Sequence, residues 1–127
     1  MTRIIVVAAV IQRDDSFLVT RRQQGVHLEG FWEFPGGKVA DGESHETALR
    51  REIQEELDAT VVVGKLLLET FHQYPERLVQ LFFYRCDLHG VPRPMIGQEM
   101  AWVARRELAS LNFPPADDEL IRKLSAN

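Results

Sequence analysis

A chain of 127 residues with 45% hydrophobic and 27% charged content is long enough for one domain with a real core and too short to expect two. Its formal net charge of −4 argues against broad nucleic-acid binding, whose affinity comes largely from neutralising phosphates. No apolar run of spanning length and no charged-then-hydrophobic leader is read, and the single cysteine, Cys86, excludes an internal disulfide, so a soluble cytoplasmic protein without membrane partners is expected.

In chain order, Arg3 to Ile11 is a β-branched run and Phe17 to Thr20 a second, with the turn formers Asp14 and Asp15 between them, which predicts a hairpin or adjacent strands. Residues 21–32 lack periodicity and read as a loop. Phe34-Pro35-Gly36-Gly37 is a turn signal, because proline presets φ and glycine accepts positive φ. A helix is predicted from the N-cap Ser44 to Leu57, then strand-like segments over Ala59–Val63 and Leu66–Phe71. Tyr74-Pro75-Glu76 turns the chain before a strand over Leu78–Leu88 that carries Cys86 as a small buried hydrophobe. Met100–Val103 is a short last strand, Arg105–Leu108 a helical turn, and Pro115–Leu124 a terminal helix with prolines near its start. With no linker, repeat or low-complexity tract, the pattern predicts an α/β fold in which a mixed sheet packs between helices.

The chemistry concentrates in GKVADGESHETALRREIQEELDA, Gly37 to Ala59. At roughly 100° per residue a helix here puts Glu55 on one side of Glu52 and Glu56 on the other, all on one face. At ~6 Å and an effective dielectric of ~20, each pair of these charges repels by roughly 3 kcal/mol, less where water screens them. A hard cation relieves this, and Mg²⁺ or Mn²⁺ takes carboxylate oxygens and completes its shell with waters and substrate phosphates. Leu49, Ile53 and Leu57 form the adjoining apolar stripe that would anchor the helix. Gly36 and Gly37 would let backbone groups approach a metal or phosphate. Arg51 reads as a carboxylate partner, its fork holding Glu43 or a helix glutamate.

Gly37, Glu43 and Arg51-Glu52-Ile53-Gln54-Glu55-Glu56, at these separations, resemble the signature box of the Nudix hydrolases, which cleave nucleoside diphosphates linked to another moiety. One departure is Asp58, where the family usually has glycine; aspartate there closes the helix with some strain. The resemblance implies a Nudix α/β/α sandwich over residues 1–127 and a catalytic and metal-binding set of Gly37, Arg51, Glu52, Glu55 and Glu56. Glu99, three residues before Trp102, resembles the additional glutamate that many members bring from outside the box as general base or metal ligand.

Beyond the box, Phe17 to Arg22, Trp32 to Lys38 and Phe113 to Ala116 are similar to the MutT branch, which hydrolyses 8-oxo-dGTP to its monophosphate and pyrophosphate and so limits mutation. This implies nucleotide contacts from Arg22, Phe34, Gly36, Gly37 and Lys38. At Asp117 the MutT pattern has asparagine contacting the purine. Ionised aspartate only accepts hydrogen bonds, unless a desolvated pocket raises its pKa, and the residue could instead serve the terminal helix dipole alongside Asp118 and Glu119. CTP or a modified dCTP is therefore an alternative substrate, a sugar-linked nucleoside diphosphate another, and a nucleotide sensor without hydrolysis a third. Leu81 and Phe83 face either base or core. His27, His72 and Tyr74 lie in or near loops, with no zinc-ligand spacing. A monomer or weak homodimer is expected.

Overall fold

The structure, a computed structural model, describes residues 2–26 and 28–126. Its centre is strand β1 (Thr2–Arg13), where Val7 to Ile11 are each at most 5% exposed. A run buried on both faces in this way is that of an interior strand. The chain turns back from β1 into β2 (Ser16–Arg21), pairing Gln12 with Phe17, and β2 is flanked by the two-residue β3 (Trp32–Glu33) and by β7 (Glu99–Ala104). On its other stretch β1 pairs antiparallel with β4 (Gly36–Lys38) and parallel with β6 (Arg77–His89), from Thr2↔Arg77 to Ile11↔Cys86. Strand β5 (Thr60–Tyr74) lies antiparallel outside β6. The path β3-β2-β1-β6-β5, with β4 on β1 and β7 on β2, is a mixed sheet.

Period-two alternation divides β1 between two cores. Val7, Ala9 and Ile11, with Leu18, face helix α1 (His45–Leu57), whose Ala48, Leu49, Ile53 and Leu57 are all fully buried. Burying each of the larger side chains contributes roughly 1.5–3 kcal/mol. Ala8 and Val10, with Phe17, Val19 and Phe83, face helix α2 (Asp118–Ser125) through Leu120, Ile121 and Leu124. The molecule is thus an α/β/α sandwich.

Helix α1 begins where its composition predicts, with the Ser44 hydroxyl accepting from the Thr47 N–H. It ends on Asp58 in the left-handed region (φ 51, ψ 43), where the Asp58 N–H donates to the Gln54 carbonyl and its carboxylate accepts from the Gln54 side chain at 3.1 Å.

Several local expectations change. The two segments predicted on either side of Gly64 are one strand, β5, with register shifts between Val63 and Leu68. A Cβ on Gly64 would lie 3.1 Å from the Arg85 carbonyl, so glycine lets the irregular backbone stay against β6. Phe34 to Gly37 is no positive-φ turn. Neither Gly36 nor Gly37 has positive φ; both sit in β4, opposite Ala8 and Val7. The terminal helix opens as a 3-10 turn, Pro115–Asp117, and α2 starts only at Asp118. Among the described residues no helix is long and apolar enough to cross a membrane.

Candidate active site

Arg51 organises the acidic face. Its Nε and Nη2 donate to the two oxygens of Glu43 at 2.8 and 2.9 Å, Nη1 donates to Glu52 at 2.9 Å and Glu55 at 3.2 Å, and Nη2 also reaches the Lys38 carbonyl at 3.1 Å. The expectation that it partners carboxylates therefore holds, and its one guanidinium, beside any cation, relieves part of the repulsion between Glu52 and Glu55. The Arg51 hydrogen bonds, with the Ala40 N–H at 2.9 Å, lower the Glu43 pKa to about 2. Stability from this contact is present above the ordinary carboxylate pKa and is lost only as pH falls through about 2. The same pairing raises the pKa of Arg51 further.

Glu56 is the opposite case. Burial, then a hydrogen bond with Glu52 and the charges of Glu52, Glu33 and Glu55, push its carboxyl up to about 9. In the ion-free protein it holds a proton at neutral pH. Gly37 explains how Glu52 comes so close to the sheet, because a Cβ there would overlap the Glu52 carboxylate, within 2.7 Å of Oε1. The double glycine is needed for close approach rather than for turning.

Beside this face a cavity of 420 Å³ runs along the α2 side of the sheet. Phe34 forms its wall, stacked on Phe113 at 5.5 Å between ring centroids and edge-on to Phe83. Leu81 and Phe83 both line the cavity, so the face-or-core alternatives are one and the same surface. Asp117, 5% exposed at the end of the 3-10 turn, lines it together with Tyr74 of the β5–β6 hairpin. No described residue hydrogen-bonds to the Asp117 carboxyl. Burial first, then the charges of Glu33 and Asp118, raise its pKa to about 7. As N-cap of α2 it makes no side-chain cap hydrogen bond.

Arg22 donates to Glu33 at 2.8 Å, and these two with Gly36 line both this cavity and a smaller hollow containing Glu56. Lys38 lines the cavity near Gly37. Glu33 was missed by sequence reasoning. Burial raises its pKa while Arg22 lowers it, and it is placed by the short pairing Thr20↔Glu33, which no periodicity announces. Glu99 stands apart from the helix glutamates. It opens β7 opposite Arg21, which donates to it at 3.2 Å, and it lines a neighbouring polar hollow, its side chain 64% exposed. His72 packs edge-on against Tyr74, and His27 lies outside the described residues.

The NUDIX domain family profile matches residues 6–123. The chain belongs to the Nudix family. It is 38% identical over 125 residues to an 8-oxo-dGTP diphosphatase of Haemophilus influenzae, covering 96% of this chain and 92% of that one, and 34% identical over 127 residues to a CTP pyrophosphohydrolase of Escherichia coli, covering 99% and 94%. A solved structure from work on MutT of Aliivibrio salmonicida and Vibrio cholerae superposes with a TM-score of 0.82 at 31% identity, covering 98% and 97%. This chain is a MutT-like Nudix hydrolase, an enzyme acting on phosphoric anhydride bonds, and such enzymes need a divalent metal ion.

The Nudix residues present suit a divalent cation. Among the described residues no group of three or more His, Cys, Asp or Glu side chains is arranged to hold one as they stand, and Arg51 takes an oxygen each of Glu52 and Glu55. The donor set is nonetheless three carboxylates with hard oxygens on a single helical turn; one of them, Glu52, sits in the gap left by Gly37, and another, Glu56, carries a proton that a cation would displace.

Proposed function

We propose that this Nudix hydrolase converts 8-oxo-dGTP to 8-oxo-dGMP and pyrophosphate with Mg²⁺, or Mn²⁺ in its place, clearing an oxidised nucleotide before it reaches DNA. The observation that carries the reading is continuity: the hollow containing Glu56 of α1 and the base-sized cavity share the Arg22–Glu33–Gly36 wall, so a nucleotide lying in the cavity would direct its phosphates toward the acidic helix. The relative named 8-oxo-dGTP diphosphatase supports the same substrate.

Glu52, Glu55 and Glu56 would hold the ion, with Gly37 beside them and Glu99 as a further ligand or base once released from Arg21. The cation, when bound, polarises phosphoryl oxygens and makes water more acidic. Phe34 stacks on the base, Arg22 and Lys38 offer positive charge to the phosphates, and Gly36 and Gly37 allow backbone approach. A glutamate carboxylate accepts the proton of the attacking water, and Arg51 keeps the glutamates aligned. Residues 1–127 would work as a single domain, a cytoplasmic monomer or weak homodimer that binds no nucleic acid. Colorimetric release of pyrophosphate against orthophosphate, measured on a nucleotide panel with Mg²⁺ and with EDTA, tests this. Orthophosphate release, or none, would overturn it, and tight binding without release would indicate a sensor.

Asp117 favours a second reading, CTP or a modified dCTP, and the relative named CTP pyrophosphohydrolase supports it. Ionised, the carboxyl accepts from an exocyclic amine; protonated, it both donates and accepts, as an amide does. Base recognition is therefore expected to change as pH crosses about 7. Asp117→Asn should flatten that dependence of KM and raise the preference for 8-oxo-dGTP over CTP by about tenfold or more. The raised pKa means that stability is fullest below the unfolded value of 3.8 and falls as pH rises through about 7. The Asn variant should accordingly be more stable to unfolding above about pH 7, by up to about 4 kcal/mol. Identical pH profiles of KM for the two proteins would sink the assignment of Asp117 to the base.

A further inference from the structure

The last carbonyls of a helix have no partner within it, and α1 is finished by a segment more than thirty positions downstream. The Arg93 N–H donates to the Leu57 carbonyl at 2.8 Å and the Met95 N–H to that of Glu56 at 2.9 Å, while the Arg93 guanidinium pairs with Asp58. Pro92 and Pro94 alternate with these two donors and have no N–H of their own. Gln98 completes the junction. It is 7% exposed, its Nε2 donates to the Glu56 carbonyl at 3.1 Å, and its Oε1 accepts from the Ile96 N–H at 3.1 Å. Glu56 thus receives two hydrogen bonds on its own backbone, one from a side chain that precedes Glu99 and lines the hollow containing Glu56.

We propose that Gln98 is a positioning residue for the reaction, holding the Glu56 backbone, and so the direction of its carboxyl, in register with the strand that carries Glu99. The inference rests on the reading of α1 as the metal cage. Helix ends fray by a residue or two, and here the last turn includes two of the three proposed ligands. Arg93 gives the contrast: its guanidinium ties the same loop to the same helix end but touches Asp58, not Glu56. If Gln98 were only structural glue, the two would be interchangeable.

The test compares Gln98→Leu with Arg93→Leu in steady-state kinetics with Mg²⁺ titration, alongside thermal melts. Gln98→Leu should raise the Mg²⁺ concentration for half-maximal activity about tenfold and lower kcat about tenfold, with the nucleotide KM nearly unchanged. Arg93→Leu should lower the melting temperature and leave both constants at wild-type values. Gln98→Met, closer in shape, should repeat the pattern if the Leu variant folds poorly. Wild-type Mg²⁺ activation and kcat in the Gln98 variants, the same kinetic pattern in Arg93→Leu, or failure of both Gln98 variants to fold would each overturn the proposal. A wild-type enzyme indifferent to divalent ions would instead remove the metal-cage reading, and this inference with it.

Discussion

Glu56→Gln is expected to lower kcat by about 10²- to 10⁴-fold, whether Glu56 acts as proton acceptor or as cation ligand. Fold damage should not accompany the loss. In the ion-free protein the Glu56 carboxyl, raised to about 9, is neutral at physiological pH, and glutamine is a neutral group of the same shape. The sign of the stability effect follows. A carboxyl with a raised folded pKa contributes its full stability below the unfolded value of 4.5 and loses it as pH rises through about 9. With EDTA present, the Gln variant should match wild type only below about pH 4.5, and its melting temperature should exceed that of wild type by a growing margin as pH rises from there to about 9. With Mg²⁺ the order should reverse, because wild type gains binding energy in the folded state and the variant gains much less. Melts across this range, beside turnover at saturating Mg²⁺, make the check; turnover within tenfold of wild type would remove Glu56 from the chemistry.

Alanine at the two adjacent glycines should produce two different failures. At Gly36 the new Cβ would overlap the Val7 carbonyl and lie 2.8 Å from the Ala8 Cα, and backbone in the most buried strand of the sheet has little room to yield. Gly36→Ala should therefore destabilise by about 3 kcal/mol, at the upper end of ordinary overpacking. At Gly37 the obstacle is the Glu52 carboxylate, the far end of a flexible side chain. Gly37→Ala should fold with a loss nearer 1 kcal/mol while displacing Glu52 enough to cut kcat about 10²-fold. Chemical denaturation and kinetics on both variants separate the cases. Equal losses of stability, or an active Gly37→Ala enzyme, would contradict the cradle assigned to Gly37.

The acidic helix was legible because its information is local. Ser44 as cap, the Leu49–Ile53–Leu57 stripe and the Glu52–Glu55–Glu56 face all follow from 3.6 residues per turn, and Arg51 to Glu43 needs only one short loop. What was illegible depends on distant pairing. Glu33 enters the site because β3 adds two residues to β2, and Glu99 turns toward Arg21 because the β2–β7 register sets them opposite each other. Gln98 had no sequence signal at all, since an amide in a polar loop announces nothing until the helix end it meets is in place. The glycines were read for both conformational freedom and close approach; positive φ is used at neither, and the absent side chains make room for β1 at Gly36 and for Glu52 at Gly37.

The two halves of the sandwich are assembled from the chain in different ways. Glu52, Glu55 and Glu56 all come from one helix, whereas the opposite chamber borrows Phe34, Tyr74, Leu81 and Asp117 from separate elements, each anchored by its own strand or turn. A change at any one of these side chains is expected to reshape the cavity while leaving helix α1 and its carboxylates in place. Such an arrangement lets taste drift while the cleavage apparatus is inherited intact, and it makes the short 113–118 stretch the natural graft for retuning this scaffold toward another base.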